Sequence, residues 1–501
     1  MPKLLTIILD GWGLYQNYPG NAIAQAKTPT FDQLWQQAPH AQLACSGLAV
    51  GLPEGQMGTS EVNHMTIGAG RVIFQDLVRI NQDIESGQFF DNPEFIKAFN
   101  HVKQNNSKLH IKGLYSPGGV HSHQNHIKAL IKAAKKHGLQ DQVYLHLMTD
   151  GRDTKPQSAL EYIKELEQFL QQQQVGQIAS LSGRYFAMDR DKNWDRTDLA
   201  FKMMTQGQVV DTYDTASKAI EQNYQHKIFD EFIKPSLIKT KPESGLIQAN
   251  DAVIFANFRT DRPRQLVERF LEQGPANLYY LTMTQYNPDY QIHVAYPPQE
   301  IKNPLGQVLS EAGLTQLRVT ETEKFAHLTF FMNCKQEDPY KGEERIMFNS
   351  DKSVKTYDEN PAMRTPAIKK ELIKQLESGQ HPVIFTNLCN ADMVGHTGQI
   401  SAAIKGIETI DQALSQIIPS AQQNNYQVII TADHGNAEQM LDPDTLGPLT
   451  AHTTNPVPFI LLSSQVSQLN RNQATMADVA PTILKLLGLK QPPEMTGQSL
   501  V

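Results

Sequence analysis

Residues 4–13, LLTIILDGWG, form a short, continuous apolar run that stops at an aspartate. Four later stretches have the same form: VYLHLMTDGRD at 143–153, DAVIFANFRTDR at 251–262, PVIFTNLCNADMVGH at 382–396 and QVIITADHGN at 427–436. Apolar runs without alternation are typical of strands that are buried on both faces of a parallel sheet. Ligands bind beyond the carboxyl ends of such strands, where each of these runs becomes polar. The pattern predicts a parallel sheet with its chemistry at one edge.

Helix-like patterns lie between several of these runs. HIKALIKAAKKHG at 126–138 ends in a glycine, and SALEYIKELEQFLQQQQ at 158–174 begins at a serine. Strands that alternate with helices predict an α/β fold. The chain has 501 residues, and domains of about 150 residues would allow two to four, of which we expect two. Crossings between domains are predicted near Gln75 and in the proline-containing stretch 293–306.

Composition and charge exclude several classes of protein. The net charge is -7 and there is no long run of lysine and arginine, which argues against binding to nucleic acid or to a membrane surface. Three widely separated cysteines form neither a disulfide framework nor a CxxC metal site. The first apolar run is too short for a signal peptide, and no stretch approaches the roughly 20 apolar residues that span a bilayer. We expect a soluble, cytoplasmic protein.

The stretch GQMGTSEVNHMTIGAGR, residues 55–71, places two hydroxyls just before a helix-like pattern. A phosphate on Ser60 would lie near the free N–H groups and the positive dipole end of that helix. A serine is a weak nucleophile until a base or a metal ion activates it. The alternative is that Thr59 or Ser60 only caps the helix.

Candidate activators are carboxylates and imidazoles near predicted strand ends. Asp10 on its own is more simply explained as a turn residue, and His452 on its own as a structural histidine. Taken as a set, the carboxylates and imidazoles are better explained as metal ligands, because mixed carboxylate and imidazole ligands suit manganese, zinc or iron. Two such ions can clamp the oxygens of a phosphoryl transfer. The candidate ligands are Asp10, Asp433, His434, His452, and the pair Asp392 and His396, which are one helical turn apart.

A second set is basic and lies between the two halves of the first. Arginine pairs bidentately with phosphate and carboxylate, so several convergent arginines predict a doubly anionic small molecule. A surface ion pair is the alternative for any single arginine, and we keep it for Arg196 and Arg264. His121 and Asp153 are candidate proton carriers, and Lys324 could contact a phosphate. The arginines of this set are Arg152, Arg184, Arg190, Arg259 and Arg262.

The chain closely resembles the 2,3-bisphosphoglycerate-independent phosphoglycerate mutase family, a branch of the alkaline phosphatase superfamily. The resemblance runs nearly end to end, through ILDGWG, GNAIAQAKTP, MGTSEVNHMTIGAGR, GGVHSH, GRDT, GRYFAMDRD, FRTDR, DMVGHTG, TADHGNAEQM, AHTTNPVPF and EMTGQSL. It implies an alkaline-phosphatase-like α/β domain, residues 1–75 and 305–501, and an inserted transferase-like domain that binds substrate, residues 76–304. It also implies a monomer that interconverts 3-phosphoglycerate and 2-phosphoglycerate in glycolysis and gluconeogenesis.

The resemblance also implies roles for the candidate residues. Ser60 would be the nucleophile that becomes phosphoserine, and Asp153 the acid/base for the substrate hydroxyls. Two manganese ions would be bound, one by Asp10, Ser60, Asp433 and His434, the other by Asp392, His396 and His452. The phosphoglycerate would be held by His121, Arg152, Asp153, Arg184, Arg190, Arg259, Arg262 and Lys324.

The chain departs from the commoner family pattern at two places. TSEVNH stands where many members have NSEVGH, which changes the helix start but keeps Ser60. Asn333, Cys334 and Lys335 stand where NGG is commoner. Two other functions are weighed against a mutase: a metal-dependent phosphomonoesterase of the same superfamily, and a non-catalytic sensor of phosphorylated metabolites. The arginine-rich region disfavours the first, and the complete ligand set disfavours the second.

Overall fold

The computed structural model describes residues 2–209, 211–240 and 245–501. Helices and strands alternate along the chain, so the predicted α/β class is confirmed. The strands are β1 (Lys3–Leu9), β2 (His40–Ala44), β3 (Leu109–Leu114), β4 (Val143–Thr149), β5 (Gln177–Gly183), β6 (Asp211–Tyr213), β7 (Ser236–Ile238), β8 (Ala252–Phe255), β9 (Tyr279–Thr284), β10 (His293–Tyr296), β11 (Gln316–Glu321), β12 (Glu343–Phe348), β13 (Val383–Leu388), β14 (Tyr426–Thr431), β15 (Val457–Leu462) and β16 (Gln473–Thr475).

The α-helices begin and end as follows: α1 (Ala22–Gln25), α2 (Pro29–Gln37), α3 (Ser60–Ala69), α4 (Asp76–Ser86), α5 (Pro93–Asn105), α6 (Gln124–Lys136), α7 (Ala159–Gln173), α8 (Arg184–Ala187), α9 (Trp194–Gln206), α10 (Ala216–Gln225), α11 (Arg264–Gln273), α12 (Leu305–Glu311), α13 (Thr322–Ala326), α14 (Thr365–Ser378), α15 (Asn390–Gly395), α16 (Ile400–Gln423) and α17 (Val479–Leu486). A π-helix, His327–Phe331, follows α13. Among the described residues, we find no helix with the length and apolarity needed to cross a membrane.

The chain divides into two compact units. The first unit consists of the chain up to Gln75 together with the chain from Glu300 onward, and the second unit is Asp76–Gln299. The second crossing therefore lies inside the proline-containing stretch, a few residues before the boundary predicted between 304 and 305. Each unit has its own eight-stranded sheet among the described residues.

The sheet of the first unit has the strand order β12-β11-β13-β1-β14-β15-β2-β16. β1 lies at its centre, and Leu5 is paired in parallel with Ile384 on one side and Val428 on the other. Every residue of β1 after Lys3 is buried. Burial on both faces explains why its sequence is a continuous apolar run rather than an alternating one.

Four neighbouring strands of this sheet, β11, β13, β1 and β14, run parallel. Their carboxyl ends therefore lie at one edge of the sheet. The segments that follow them carry Lys324 in α13 after β11, Asp392 in α15 after β13, Asp10 in the loop after β1 and Asp433 in the loop after β14. This topology brings together residues that are far apart in the sequence.

The sheet of the second unit has the order β10-β9-β8-β3-β4-β5-β7-β6. β8, β3, β4 and β5 run parallel at its centre and end just before the stretches 257–262, 116–121, 150–153 and Arg184. The basic candidate residues lie in these stretches, so they too lie at one edge of a sheet. Arg190 follows shortly after, beyond α8.

A buried chain of hydrogen bonds crosses β5, β4 and β3 and ends at Asp251, just before β8. Ser180 donates to His146 Nδ1 at 2.8 Å, His146 Nε2 lies 3.0 Å from His110 Nδ1, and His110 Nε2 lies 3.0 Å from Asp251. The carboxylate accepts from His110, so each imidazole has one donating and one accepting nitrogen. Burial lowers the pKa of both histidines, which keeps both imidazoles neutral.

Candidate active site

Ser60 begins helix α3 in the first unit. Thr59 is the N-cap, since its side chain accepts a hydrogen bond from the backbone N–H of Val62 at 3.3 Å. Capping was the alternative explanation for Thr59 and Ser60. Thr59 fills that role, so the hydroxyl of Ser60 is not needed for it. Ser60 Oγ instead lies 2.8 Å from His434 Nε2 and 2.7 Å from Lys324 Nζ. The side chain is buried at the positive end of the α3 dipole.

Lys324 lies among the carboxylates of this edge. Its Nζ is 2.7 Å from Asp10 Oδ1 and 2.8 Å from Asp392 Oδ2. Burial alone would lower the pKa of the ammonium, but the carboxylates of Asp10, Asp392 and Asp433 outweigh burial and hold it well above the usual value. Lys324 is therefore a permanent positive charge beside Ser60 Oγ.

The pKa values of these three carboxylates are shifted by one another and by the Lys324 ammonium. Burial and the neighbouring Asp433 carboxylate raise the pKa of Asp10. Although burial acts in the opposite direction, the Lys324 ammonium lowers the pKa of Asp392 well below its usual value. Three buried carboxylates with one ammonium leave an excess of negative charge, which a bound cation would neutralise.

Asp10, His64 and Asp433 form one group whose ligand atoms all lie within 4.8 Å of one another. Asp433 Oδ2 is buried and has no hydrogen-bond partner among the described residues. Burial lowers the pKa of His64 to about 3, so the imidazole stays neutral. His64 Nδ1 lies 2.9 Å from the carbonyl oxygen of Ser60, and Asn387 donates to both His64 Nε2 and Asp10.

A second group within the same distance limit consists of Asp392, His434 and His452. His396 adjoins it, because its Nε2 lies 3.1 Å from Asp392 Oδ1 and 3.1 Å from His452 Nε2. Asp392 and His396 are thus on the same side of one helical turn, as their spacing predicts. The rings of His434 and His452 stack with their centroids 3.7 Å apart. His434 also adjoins the first group, because its Nε2 lies 3.6 Å from Asp10 Oδ1 and 3.4 Å from Asp433 Oδ2.

In the second unit, Arg184 is buried and paired with two carboxylates. Its NH1 lies 2.7 Å from Asp150 Oδ1 and 2.5 Å from Asp153 Oδ2. His121 Nε2 lies 3.8 Å from the same oxygen of Asp153. Burial and the Arg184 charge lower the pKa of His121 to about 4, so its imidazole is neutral at physiological pH.

Arg152 NH1 lies 3.6 Å from Glu231 Oε1 and Arg262 NH1 donates to the Met188 carbonyl, whereas two other arginines pair with Asp261. This carboxylate lies 2.7 Å from Arg190 NH1 and 3.0 Å from Arg259 Nε. Burial lowers the pKa of Arg262, and the positive charges of Arg184, Arg190 and Arg152 lower it further. Mutual repulsion of this kind shows that the arginines share one region, which an anion would stabilise. Arg196 is instead paired with Asp189, as expected for a structural arginine.

Several residues of both sites were not predicted from the sequence. Asn387 lies inside a buried strand, and Asp150 and Asp261 lie one or two residues from predicted residues within the same motifs. His64 alone had a usable signal, since it lies four residues after Ser60 on one helix and so on the same side. The side chain of Asn436 donates to Asp392, and Glu438 accepts from the Asn436 backbone N–H. The residues that were missed are His64, Asp150, Asp261, Asn387, Asn436 and Glu438.

Comparison with known proteins supports a single family. The family described as BPG-independent PGAM N-terminus matches residues 80–288. A 2,3-bisphosphoglycerate-independent phosphoglycerate mutase of Methanosarcina barkeri is 47% identical, with 99% of this chain and 98% of the relative covered. The corresponding protein of Clostridium tetani is 46% identical with the same coverage.

A solved structure is also similar over its whole length. The phosphoglycerate mutase of Leishmania mexicana, crystallised at low cobalt concentration, has a TM-score of 0.56 and 30% sequence identity. The match covers 100% of this chain and 97% of that one. Full-length identity at this level, found over both units, shows that the chain is a member of the 2,3-bisphosphoglycerate-independent phosphoglycerate mutase family of enzymes.

Proposed function

We propose that this enzyme interconverts 3-phosphoglycerate and 2-phosphoglycerate, in glycolysis and gluconeogenesis, through a phosphoserine at Ser60. The P–O bond to the glycerate breaks as the P–Oγ bond to Ser60 forms, and the phosphate then returns to the other hydroxyl. The position of Ser60 Oγ, 2.7 Å from the Lys324 ammonium, carries this proposal. A charged donor at that distance stabilises negative charge on the serine oxygen.

We also propose two divalent metal ions, manganese in the first place. Asp433 Oδ2 is buried and accepts no hydrogen bond among the described residues, and its near neighbours are the imidazoles of His64 and His434. Together with the excess of carboxylate charge, this oxygen supports a cation at this edge. Carboxylate and imidazole donors without thiolates suit manganese, cobalt or zinc. When bound, such ions favour the deprotonated serine and neutralise phosphate charge. One ion would be held by Asp10, Ser60, Asp433 and His434, the other by Asp392, His396 and His452.

The second unit supplies the remaining residues for the substrate. Its arginines, of which Arg190 and Arg259 lie beside Asp261, would bind the negative charges of phosphoglycerate. In the first unit, Lys324 would contact a phosphate. His121 is neutral and can donate to or accept from a substrate hydroxyl. Asp153 is the proposed acid/base, since it shares Arg184 with Asp150 and lies beside His121. The proposed substrate residues are His121, Arg152, Asp153, Arg184, Arg190, Arg259, Arg262 and Lys324.

Monomeric, cytoplasmic action on this small molecule completes the proposal. Three free cysteines, of which two are buried, agree with a reducing compartment. We propose neither a nucleic-acid nor a membrane partner, since the negative net charge argues against both.

The first test measures 2-phosphoglycerate formed from 3-phosphoglycerate without added bisphosphoglycerate. Wild type and Ser60→Ala are assayed after metal removal and again with manganese restored, and free phosphate is recorded in the same samples. We expect manganese-dependent isomerisation that Ser60→Ala abolishes. Ser46→Ala is a matched control, because its hydroxyl donates to the Thr454 carbonyl on an exposed surface. Phosphate release without isomerisation would show a phosphomonoesterase instead.

Arg262 and Arg264 form a second matched pair. Arg262 is half-buried among the other arginines, whereas Arg264 is exposed and donates to the Tyr286 carbonyl. We expect Arg262→Met to lower kcat/KM about 10- to 100-fold, the loss of one or two charge-assisted hydrogen bonds to the substrate. Arg264→Met should change it less than about threefold. Equal effects of the two substitutions would remove Arg262 from the substrate set.

A further inference from the structure

Glu438 is a fully buried carboxylate in the first unit, and its hydrogen-bond partners are neutral donors. Its Oε2 accepts from the backbone N–H of Asn436 at 2.7 Å and of Gly13 at 3.2 Å. Its Oε1 accepts from Asn455 Nδ2 at 3.0 Å and from the hydroxyl of Thr453. No lysine, arginine or histidine of the described residues forms an ion pair with it. Both oxygens therefore serve as acceptors for the surrounding chain.

The donors belong to three separate segments, each of which carries proposed metal ligands. Gly13 follows Asp10 by three residues after β1, and Asn436 follows His434 by two residues after β14. Thr453 is next to His452 in the segment before β15. One carboxylate thus joins the loops of both metal groups.

The packing around Glu438 is close as well as polar. A Cβ added to Gly13 would lie 2.2 Å from Glu438 Cδ, and one added to Gly435 would lie 2.2 Å from Glu438 Oε1. Both contacts are far shorter than van der Waals distance, so these loops approach the carboxylate only because they have glycine there. Gly435 also pairs with Thr453 through an isolated bridge.

Asn436 extends this arrangement to the fourth segment. Its backbone N–H is held by Glu438, and its side-chain Nδ2 donates to Asp392 Oδ1 at 3.3 Å. Gly395, next to His396, faces Asn436 so closely that an added Cβ would lie 2.2 Å from its Oδ1. Directly or through Asn436, the hydrogen bonds of Glu438 therefore reach every segment with a proposed ligand except the α3 helix.

We infer that Glu438 is the positioning residue of the metal centre: it holds the ligand loops at binding distance without itself contacting metal or substrate. The inference rests on the proposed function, because it concerns the same metal site. Residues that orient metal ligands typically change metal affinity 10- to 100-fold when they are replaced. Glu438 should thus affect metal binding far more than it affects the metal-free fold.

The test compares manganese binding to the full-length wild type, Glu438→Gln and Asp411→Asn, measured from free Mn²⁺ by electron paramagnetic resonance. Glutamine keeps the shape, but its amide nitrogen replaces one acceptor, so Asn455 must turn over and lose its bond to Gln439. Asp411 is the matched control, a buried carboxylate that accepts from the N–H groups of Thr30 and Phe31 away from the ligand loops. We expect Glu438→Gln to weaken manganese binding at least tenfold and Asp411→Asn less than twofold.

A second variant covers the case in which Glu438→Gln folds poorly. Thr453→Val is isosteric and removes one donor, and Thr454→Val is its exposed neighbour and control. We expect Thr453→Val, but not Thr454→Val, to bind manganese more weakly than the wild type. The KM of Thr453→Val for 3-phosphoglycerate should be unchanged, and saturating manganese should restore its activity. Unchanged manganese affinity in both Glu438→Gln and Thr453→Val, with normal wild-type binding, would overturn the inference and leave the proposed function intact. A wild type that binds no manganese would overturn the proposed metal site itself.

Discussion

Two buried lysines have opposite electrostatic surroundings. Lys324 lies against two carboxylates, which raise the pKa of its ammonium, and the charge is available beside Ser60. Lys112, on β3 of the second unit, is equally buried, but its Nζ has no hydrogen-bond partner among the described residues. Its Nζ instead lies 3.8 Å from the ring centre of Phe270 and 4.5 Å from that of Phe255. The charge of Lys324 contributes to the site, whereas the burial of Lys112 destabilises the fold.

Replacing Lys112 with methionine should therefore stabilise the second unit. Burial lowers the pKa of Lys112 well below the usual 10.5, so between the two values the unfolded chain binds more protons. Lys112 thus makes the free energy of unfolding rise with pH. Lys112→Met should raise this free energy by about 1–3 kcal/mol near pH 7 and make it depend less on pH. Denaturant unfolding at pH 7 and pH 9 measures both effects. His146 and Tyr280, the ionisable neighbours, are the same in both proteins.

At the scale of elements, one departure from the family pattern, Asn333-Cys334-Lys335 in place of NGG, lies in the turn after the π-helix His327–Phe331. Cys334 and Lys335 both have left-handed backbones, with φ of 56° and 72°. Their N–H groups close the turn onto the carbonyls of Phe331 and Phe330. Glycine adopts this conformation without steric cost, which is a physical reason for NGG at these positions.

Lys335→Gly should accordingly stabilise the first unit. Relief of left-handed strain exceeds the entropy that glycine adds to the unfolded chain, for a net gain of about 0.5–1 kcal/mol. Lys341→Gly, at another exposed lysine that lacks a left-handed φ, should instead lose stability. Urea midpoints of both variants measure the difference, and a loss in Lys335→Gly would contradict the strain argument.

The elements that could be predicted were those with a continuous local pattern. All five apolar runs are strands of the parallel parts of the two sheets, because burial on both faces leaves a signal in each run. Helix α6 presents Ile127, Leu130, Ile131 and Ala134 to the core at helical spacing. The antiparallel β2 and β15 were not predicted, since their pairing depends on partners far along the chain.

The same limit applies to the two sites. Candidate ligands at strand ends could be predicted, because parallel strands bring their carboxyl ends to one edge. Glu438, Asn387 and Asp261 could not, since each acts through contacts with segments that only the folded chain brings near. A buried glutamate in the sequence gives no sign of which loops it joins.

At the scale of the whole molecule, each unit has its own apolar core, one in the first unit and two on the faces of the second sheet. The proposed metal ligands all lie in the first unit. Metal binding should therefore stabilise the two units unequally, even though they belong to one chain.

Saturating manganese should raise the stability of the first unit by about 2.7 kcal/mol for each bound ion at a hundred times Kd and leave the second unit unchanged. Hydrogen exchange of the full chain, with and without manganese, assigns the protection to each unit. Added chelator should reverse it. Equal protection of peptides from both units would contradict metal binding confined to the first.

The central position of β1 in its sheet also has a consequence for protein synthesis. β1 is synthesised before the second unit, but both of its neighbours, β13 and β14, are synthesised after it. At about 5–20 residues per second, Thr431 follows Leu9 by roughly 20–80 s. The second unit is contiguous and can fold on the ribosome during that interval, while the apolar strand β1 remains without either of its neighbours. β1 thus leaves the ribosome long before either strand that pairs with it.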